Sequence, residues 1–192
     1  MNLLINHEEI RARARKQIED GAITQNYNLN RERVVAILNA ALATEIVCML
    51  RYRYHYFVAS GIDSAGIAQE FLNHSNEEQQ HADWLAERIT QLGGNPEMNP
   101  AVITHVSHSE YREGESLSEM IREDLVAERI VIETYRNIIS FFGEKDPTSR
   151  CLIEEILATE EEHADELAKL LARIKPVAEP ETQVSVTPAT SH

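Results

Sequence analysis

Six residues of this chain have the types and the spacing of a site for two metal ions. They are four glutamates and two histidines: Glu45, Glu78, His81, Glu128, Glu160 and His163. Two of the glutamates are followed three residues later by a histidine, which places both side chains on one face of an α-helix. Carboxylate oxygens combined with imidazole nitrogens suit iron or manganese better than a metal that seeks thiolates. Two such metals about 3.5–4 Å apart can bridge an oxygen species between them.

Four long segments must position these residues. In each segment apolar residues recur at steps of three and four, which predicts a helix with one buried stripe. The segments cover residues 31–59, 64–92, 116–142 and 146–174. Ser116 and Glu119 form a capping box at the start of the third segment, and Asp146-Pro147 is a cap followed by proline at the first helical position.

The lengths of the connections predict how the four helices pair. Residues 60–63 and 143–146 are short connections, so each should join two helices into an antiparallel hairpin. The connection over residues 93–115 is long enough to run the length of a bundle. We therefore predict an all-α fold, a four-helix bundle of two antiparallel hairpins joined by a long crossover, over residues 30–175.

The two ends of the chain differ from this helical region. Residues 1–29 are predicted to form an N-terminal extension with a short helix over residues 7–20, closed by Gly21. Residues 176–192 are rich in Pro, Thr and Ser and lack helical periodicity, so we predict a disordered tail.

The buried stripe of every long helix carries a carboxylate near its middle. These glutamates lie 12 to 15 residues after the residues that precede or cap their helices, Asn30, Asp63, Ser116 and Asp146. Midpoints meet in antiparallel hairpins, so the four carboxylates should share one layer of the core. A buried ionised carboxylate costs several kcal/mol on its own, and four would repel one another. We therefore expect two cations between them. Surface ion pairs on ordinary helices are the alternative interpretation.

Composition restricts the class of protein further. The formal net charge of −14 argues against a nucleic-acid binder, because polyanions are repelled. Cys48 and Cys151 are too few for a disulfide framework and are interpreted as small buried hydrophobic residues. We expect no membrane span and no signal peptide, and therefore a cytoplasmic location.

With these residues in place, the chain resembles the ferritin-like superfamily, most closely bacterioferritin and its Dps-like relatives, over residues 31–174. The order of one Glu, then Glu-x-x-His, then one Glu, then Glu-x-x-His on successive helices matches the bacterioferritin ferroxidase centre. The resemblance implies that Glu78 and Glu160 bridge two irons. It also implies the terminal ligand pairs, which are Glu45 with His81 and Glu128 with His163.

Three further positions bear on the resemblance. Tyr52, seven residues after Glu45, matches a tyrosine that can donate an electron to the centre; a core aromatic with a hydrogen-bonded hydroxyl is the alternative. Gln79 stands where bacterioferritin has its haem-binding methionine, so no haem is expected. Pro176 and a polar tail replace the fifth helix of the 24-subunit shell, which favours a shell of 12 subunits.

The resemblance implies an iron-binding ferroxidase. Such a protein oxidises Fe(II) with O2 or H2O2 at a di-iron centre within each subunit, and it stores or detoxifies the iron in a homo-oligomeric shell. Manganese suits the same ligands. One alternative is a di-manganese or di-iron peroxidase or catalase of the same superfamily, and another is a non-catalytic helical shell or scaffold protein.

Three more polar residues fall on the buried stripes. Asp124, one turn before Glu128, is interpreted as orienting a ligating imidazole, and a buried-edge cap or an ion-pair partner is the alternative. His55 and His74 are interpreted as hydrogen-bonded core histidines, and a transient iron site is the alternative for each.

Overall fold

The computed structural model describes residues 6–60 and 64–174 of the 192-residue chain. Within these ranges the chain forms six α-helices, one short 3-10 turn and no strand. The helices are α1 (His7–Ala14), α2 (Arg31–Val58), α3 (Ser64–Gln91), α4 (Pro100–Val106), α5 (Leu117–Phe142) and α6 (Pro147–Arg173). The predicted disordered tail and Asp63 lie outside the described residues.

The four long helices form a bundle. α2 packs along α3, α5 packs along α6, and further contacts of α2 with α5 and of α3 with α6 join the two hairpins. The predicted all-α fold with two hairpins and a crossover is therefore confirmed.

Side-chain caps begin three of these helices at the expected residues. The side chain of Asn30 accepts a hydrogen bond from the backbone N–H of Arg33 at 2.8 Å, and Asp146 accepts one from that of Ser149 at 3.0 Å. Ser116 likewise accepts from the N–H of Glu119 at 3.3 Å. Each cap satisfies a donor that has no partner within its own helix.

The described core consists of three apolar clusters, and the polar layer lies between the two larger ones. The largest cluster includes Leu38, Leu85 and Ile156, the second includes Phe71 and Leu167, and the third joins α4 to α2. Most residues of the predicted stripes are buried, because each stripe faces the axis of the bundle. The carboxylates at the middle of each stripe therefore lie in a dry layer.

Three features differ from the predictions. The N-terminal helix ends at Ala14 rather than at residue 20, and Gln17 adopts a left-handed backbone with φ of 51° before a 3-10 turn. No residue of α1 is buried, so packing does not support a longer helix.

The crossover contains the unpredicted α4, although Asn99-Pro100 is a cap followed by proline at the first position. Cys48 is buried as expected, but Cys151 is exposed.

α2 is the one described helix that is long and apolar enough to cross a membrane by length and composition. Half of its most apolar window is buried inside the bundle. The position of α2 in the core, against α3, accounts for this apolar character.

Candidate metal centre

The structure brings the six predicted residues together in one buried layer. α2 positions Glu45, α5 positions Glu128, and α3 and α6 each contribute a Glu-x-x-His pair. All six residues are at most 2% exposed. Antiparallel hairpins of similar length place the four helix midpoints at the same height, and this explains the common layer.

The donor atoms form two groups that overlap. The first group is Glu45, Glu78, His81 and Glu160, and the second is Glu78, Glu128, Glu160 and His163. Within each group, one donor atom from every residue lies within 4.8 Å of the others. Glu78 and Glu160 belong to both groups, which is the arrangement that two bridging carboxylates require.

Each shared glutamate directs one oxygen toward each histidine. His81 Nδ1 lies 3.3 Å from Glu78 Oε2 and 3.0 Å from Glu160 Oε1. His163 Nδ1 lies 3.4 Å from Glu78 Oε1 and 3.5 Å from Glu160 Oε2. The two oxygens of one carboxylate therefore serve two neighbouring positions.

Several donor atoms of the layer are buried without a hydrogen-bond partner. They are Glu78 Oε1, Glu128 Oε2, both carboxylate oxygens of Glu160, and His163 Nδ1. Buried polar atoms are normally satisfied, because an unsatisfied group costs free energy. Cations among these atoms would satisfy them, so the residues present fit a pair of metal ions with oxygen and nitrogen ligands.

Burial and mutual repulsion act on the carboxylates of the metal-free layer. Burial and the neighbouring charge of Glu78 raise the pKa of Glu45 to about 8. Burial and the charge of Glu160 raise the pKa of Glu128 well above its usual range. Burial would also raise the pKa of Glu78 and Glu160, but close polar groups, among them His81 and His163, leave both pKa values lowered. These directions favour ionisation of the shared pair and protonation of the other two glutamates.

The histidines balance this charge. Burial disfavours the charged imidazole of His81, but the carboxylates of Glu160 and Glu45, 3.0 and 3.4 Å from its Nδ1, outweigh burial and raise the pKa of His81 to about 12. The pKa of His163 is also raised, because the neighbouring carboxylates of Glu160 and Glu77 outweigh burial. The imidazolium forms that these shifts favour would offset the negative charge of the shared carboxylates.

Metal binding is expected to displace protons from this layer. Two divalent cations bound in this layer would compete with protons at Glu45, Glu128, His81 and His163, because all four pKa values are raised. Acid favours the protonated form, which binds no metal. The affinity of the layer for divalent metal should therefore rise by about tenfold or more per pH unit between pH 6 and 8. Titration of Co(II) into weakly buffered apoprotein with a pH indicator measures the release. Binding without proton release would contradict this charge distribution.

Two buried tyrosines hold the glutamates that are not shared. The hydroxyl of Tyr52 donates a hydrogen bond to Glu128, and the hydroxyl of Tyr135 donates one to Glu45. Tyr52 lies seven residues after Glu45, and Tyr135 lies seven residues after Glu128. The two halves of the layer are thus equivalent, with each tyrosine crossing to the other half. Sequence reasoning missed this role of Tyr135, although the repeated spacing was a usable signal.

A carboxylate outside the layer orients one histidine. Glu77 Oε2 lies 2.7 Å from Nε2 of His163, and the Glu77 side chain is 52% exposed. This contact leaves Nδ1 of His163 facing the shared glutamates. Such outer partners fix the ring and the tautomer of a metal-ligating histidine. The sequence offered no signal for Glu77, because it lies on the polar side of α3.

Asp124 contacts neither His81 nor His163. Its Oδ1 accepts a hydrogen bond from Arg51 Nε at 2.8 Å, and its Oδ2 lies 2.8 Å from His55 Nδ1. The interpretation of Asp124 as orienting a ligating imidazole is wrong, and the ion-pair interpretation holds. Arg51 also donates to the backbone carbonyl of Glu110 at 2.9 Å, so the network attaches the crossover to the bundle.

Family comparison agrees with this geometry. The model of the family described as Ferritin-like domain matches residues 35–177 of the chain. The chain belongs to the ferritin-like family. The resemblance to this superfamily is therefore confirmed.

Curated relatives and a solved structure extend this result. The ferritin-like chain is 31% identical over 139 residues to the nutrient stress-induced DNA-binding protein of Nostoc sp. (strain PCC 7120), covering 71% of this chain and 76% of that protein. It is 31% identical over 140 residues to the bacterioferritin of Mycobacterium leprae, covering 72% and 84%. A dodecameric thioferritin, the bacterioferritin-related protein from Bacteroides fragilis, superposes with a TM-score of 0.72 at 31% identity, covering 75% of this chain and 87% of that chain.

Proposed function

We propose that this protein is a ferroxidase, which oxidises Fe(II) with O2 or H2O2 at a di-iron site in each subunit and stores or detoxifies the product in a homo-oligomeric shell. One observation carries the proposal. Glu78 and Glu160 belong to two ligand groups at once, and three of their four oxygens are buried without hydrogen-bond partners. The bacterioferritin relatives support iron as the metal.

The residues of the layer have separable tasks. Glu78 and Glu160 hold two Fe(II) ions side by side, while Tyr52 and Tyr135 fix the glutamates at either end. Two Fe(II) ions supply two electrons, the number that reduces H2O2 to water or O2 to H2O2. The apolar clusters on both sides of the layer keep bulk water out.

Tyr52 is also the proposed source of a further electron for the reduction of O2 or H2O2. Its hydroxyl donates to Glu128, and its ring lies with its centroid 6.4 Å from that of His163. The phenol is fully buried, so its oxidation would be sheltered from solvent.

We propose a shell of twelve subunits without haem. Similarity to the dodecameric thioferritin supports twelve, and exposed apolar residues supply contact surface on α2 and α5 (Leu50, Phe57, Val126 and Ile130). Gln79 is exposed and offers no thioether for a haem iron. Light scattering should give a mass about twelve times the 21.8 kDa subunit; a mass of 24 subunits would contradict this choice.

An aerobic iron-oxidation assay tests the function. Apoprotein mixed with Fe(II) in air, or with H2O2 without air, should form ferric absorbance faster than Fe(II) alone. Metal analysis followed by a peroxide-consumption assay without added iron identifies a peroxidase or catalase instead. A scaffold protein would bind no metal and would not accelerate oxidation.

A further inference from the structure

A second group of metal-ligand side chains lies one helical turn from the proposed centre. Glu70 and His74 are four residues apart on α3, which places them on one face, and Glu166 approaches from α6. One donor atom from each of the three residues lies within 4.8 Å of the others. None of them is among the six residues of the centre.

His74 distinguishes this group from an ordinary acidic surface. The imidazole is 2% exposed, and its Nε2 lies 3.0 Å from Glu166 Oε2. Its Nδ1 is buried and has no hydrogen-bond partner. A second carboxylate, that of Glu70, lies beside this buried imidazole and completes a set of three possible ligands.

The group opens to solvent on its outer side. Glu70 and Glu166 line a surface groove of about 160 Å³ together with Lys169, Leu170 and Arg173. The ammonium of Lys169 is engaged by Asp165, one turn earlier on α6. The Glu166 side chain is 43% exposed, so a hydrated cation in the groove reaches a carboxylate directly.

On its inner side the group touches the centre. The rings of His74 and His163 stack with centroids 3.9 Å apart and planes 20° apart. His163 in turn directs Nδ1 toward Glu78 and Glu160. Glu77, bonded to His163 Nε2, adds a half-exposed carboxylate beside this stack. Donor atoms therefore continue from the groove to the buried layer.

We propose that Glu70, His74 and Glu166 form a third cation site, which takes a divalent transition metal from the groove and passes it toward the buried pair. Two carboxylates balance a divalent charge, and one imidazole favours a transition metal over Mg²⁺ or Ca²⁺. With three protein ligands and one side open to solvent, this site should bind a cation more weakly than the buried layer does. Weaker binding allows the cation to leave for the layer. The identity of the physiological cation as Fe(II) rests on the proposed function, whereas the site itself does not.

Co(II) is the probe for the test, because it does not oxidise under the assay conditions. Calorimetric titration of the assembled apoprotein should show three Co(II) per subunit, one of them weaker. The Glu70→Gln/Glu166→Gln variant should bind two Co(II) per subunit. The Glu78→Gln/Glu160→Gln variant should retain the Co(II) of the third site. Glu133→Gln, which changes an exposed glutamate on α5, is the matched control and should bind three.

Anomalous diffraction from Co(II)-loaded crystals locates the ions whatever the variants do to folding. A peak among Glu70, His74 and Glu166 is expected, and its absence at full occupancy of the centre would overturn the proposal. In the iron assay, the Glu70→Gln/Glu166→Gln variant should oxidise low concentrations of Fe(II) about tenfold more slowly, with the difference narrowing as Fe(II) rises. Equal oxidation rates for this variant and the unaltered protein at every Fe(II) concentration would overturn the proposed delivery of Fe(II). A Glu78→Gln/Glu160→Gln variant with native rates would instead refute the proposed function and leave the Co(II) result standing.

Discussion

Replacing Glu78 and Glu160 together with glutamine will lower the rate of Fe(II) oxidation by about 100-fold or more. These two carboxylates are the ones that belong to both ligand groups, so their loss weakens both metal positions at once. Glutamine keeps the size of the side chain, and the surrounding packing is therefore retained. It loses the charge and replaces one ligand oxygen with an NH2 group that does not bind a cation.

The control for this variant is Glu161→Gln. Glu161 follows Glu160 in the chain but is exposed and paired with Arg136, so its substitution should leave oxidation unchanged. Circular dichroism and assembly mass establish that each variant is folded. Native oxidation rates in a folded Glu78→Gln/Glu160→Gln protein would show that the chemistry occurs elsewhere.

The substitution Asp124→Asn will lower the free energy of unfolding of the apoprotein by about 3–5 kcal/mol. Asp124 is fully buried, and its two carboxylate oxygens lie 2.8 Å from Arg51 Nε and from His55 Nδ1. Removing its charge leaves the guanidinium of Arg51, which is 1% exposed, without a buried counter-charge. Asparagine preserves the volume of the side chain, so the loss of stability is due to electrostatics rather than to a cavity.

Urea unfolding at matched protein concentration measures this effect. Glu161→Gln again provides the comparison, because it breaks the exposed Arg136–Glu161 ion pair and should change stability by less than about 1 kcal/mol. Equal losses in the two variants would contradict the assigned role of Asp124. The network also attaches the crossover through the carbonyl of Glu110, so proteolysis near that residue should increase in Asp124→Asn.

The fold and the layer of six residues followed from local patterns in the chain. A stripe of period 3.6 determines which side of each helix is buried, and caps such as Asn30 and Asp146 determine where the helices begin. Once short loops require antiparallel pairing, the height of Glu45 in the bundle follows from its distance to Asn30. This is why residues remote in sequence were placed together without a structure.

The remaining contacts depend on packing that no single segment encodes. Whether Tyr135 reaches Glu45 is decided by the approach of α5 to α2, and the partner of Asp124 is decided by which buried group is nearest. Glu77 lies on the polar side of α3, where its contact with His163 has no periodic signal. α4 was not predicted, because its seven residues are too few to show a stripe. Its cap was the one local signal for this helix.

Diffraction at the iron edge from protein loaded anaerobically with Fe(II) addresses the central claim most directly. Two anomalous peaks about 3.5–4 Å apart are expected between Glu78 and Glu160, one beside His81 and the other beside His163. A layer without iron at saturating Fe(II), with the glutamates protonated and bonded to one another, would contradict the claim that these residues hold metal.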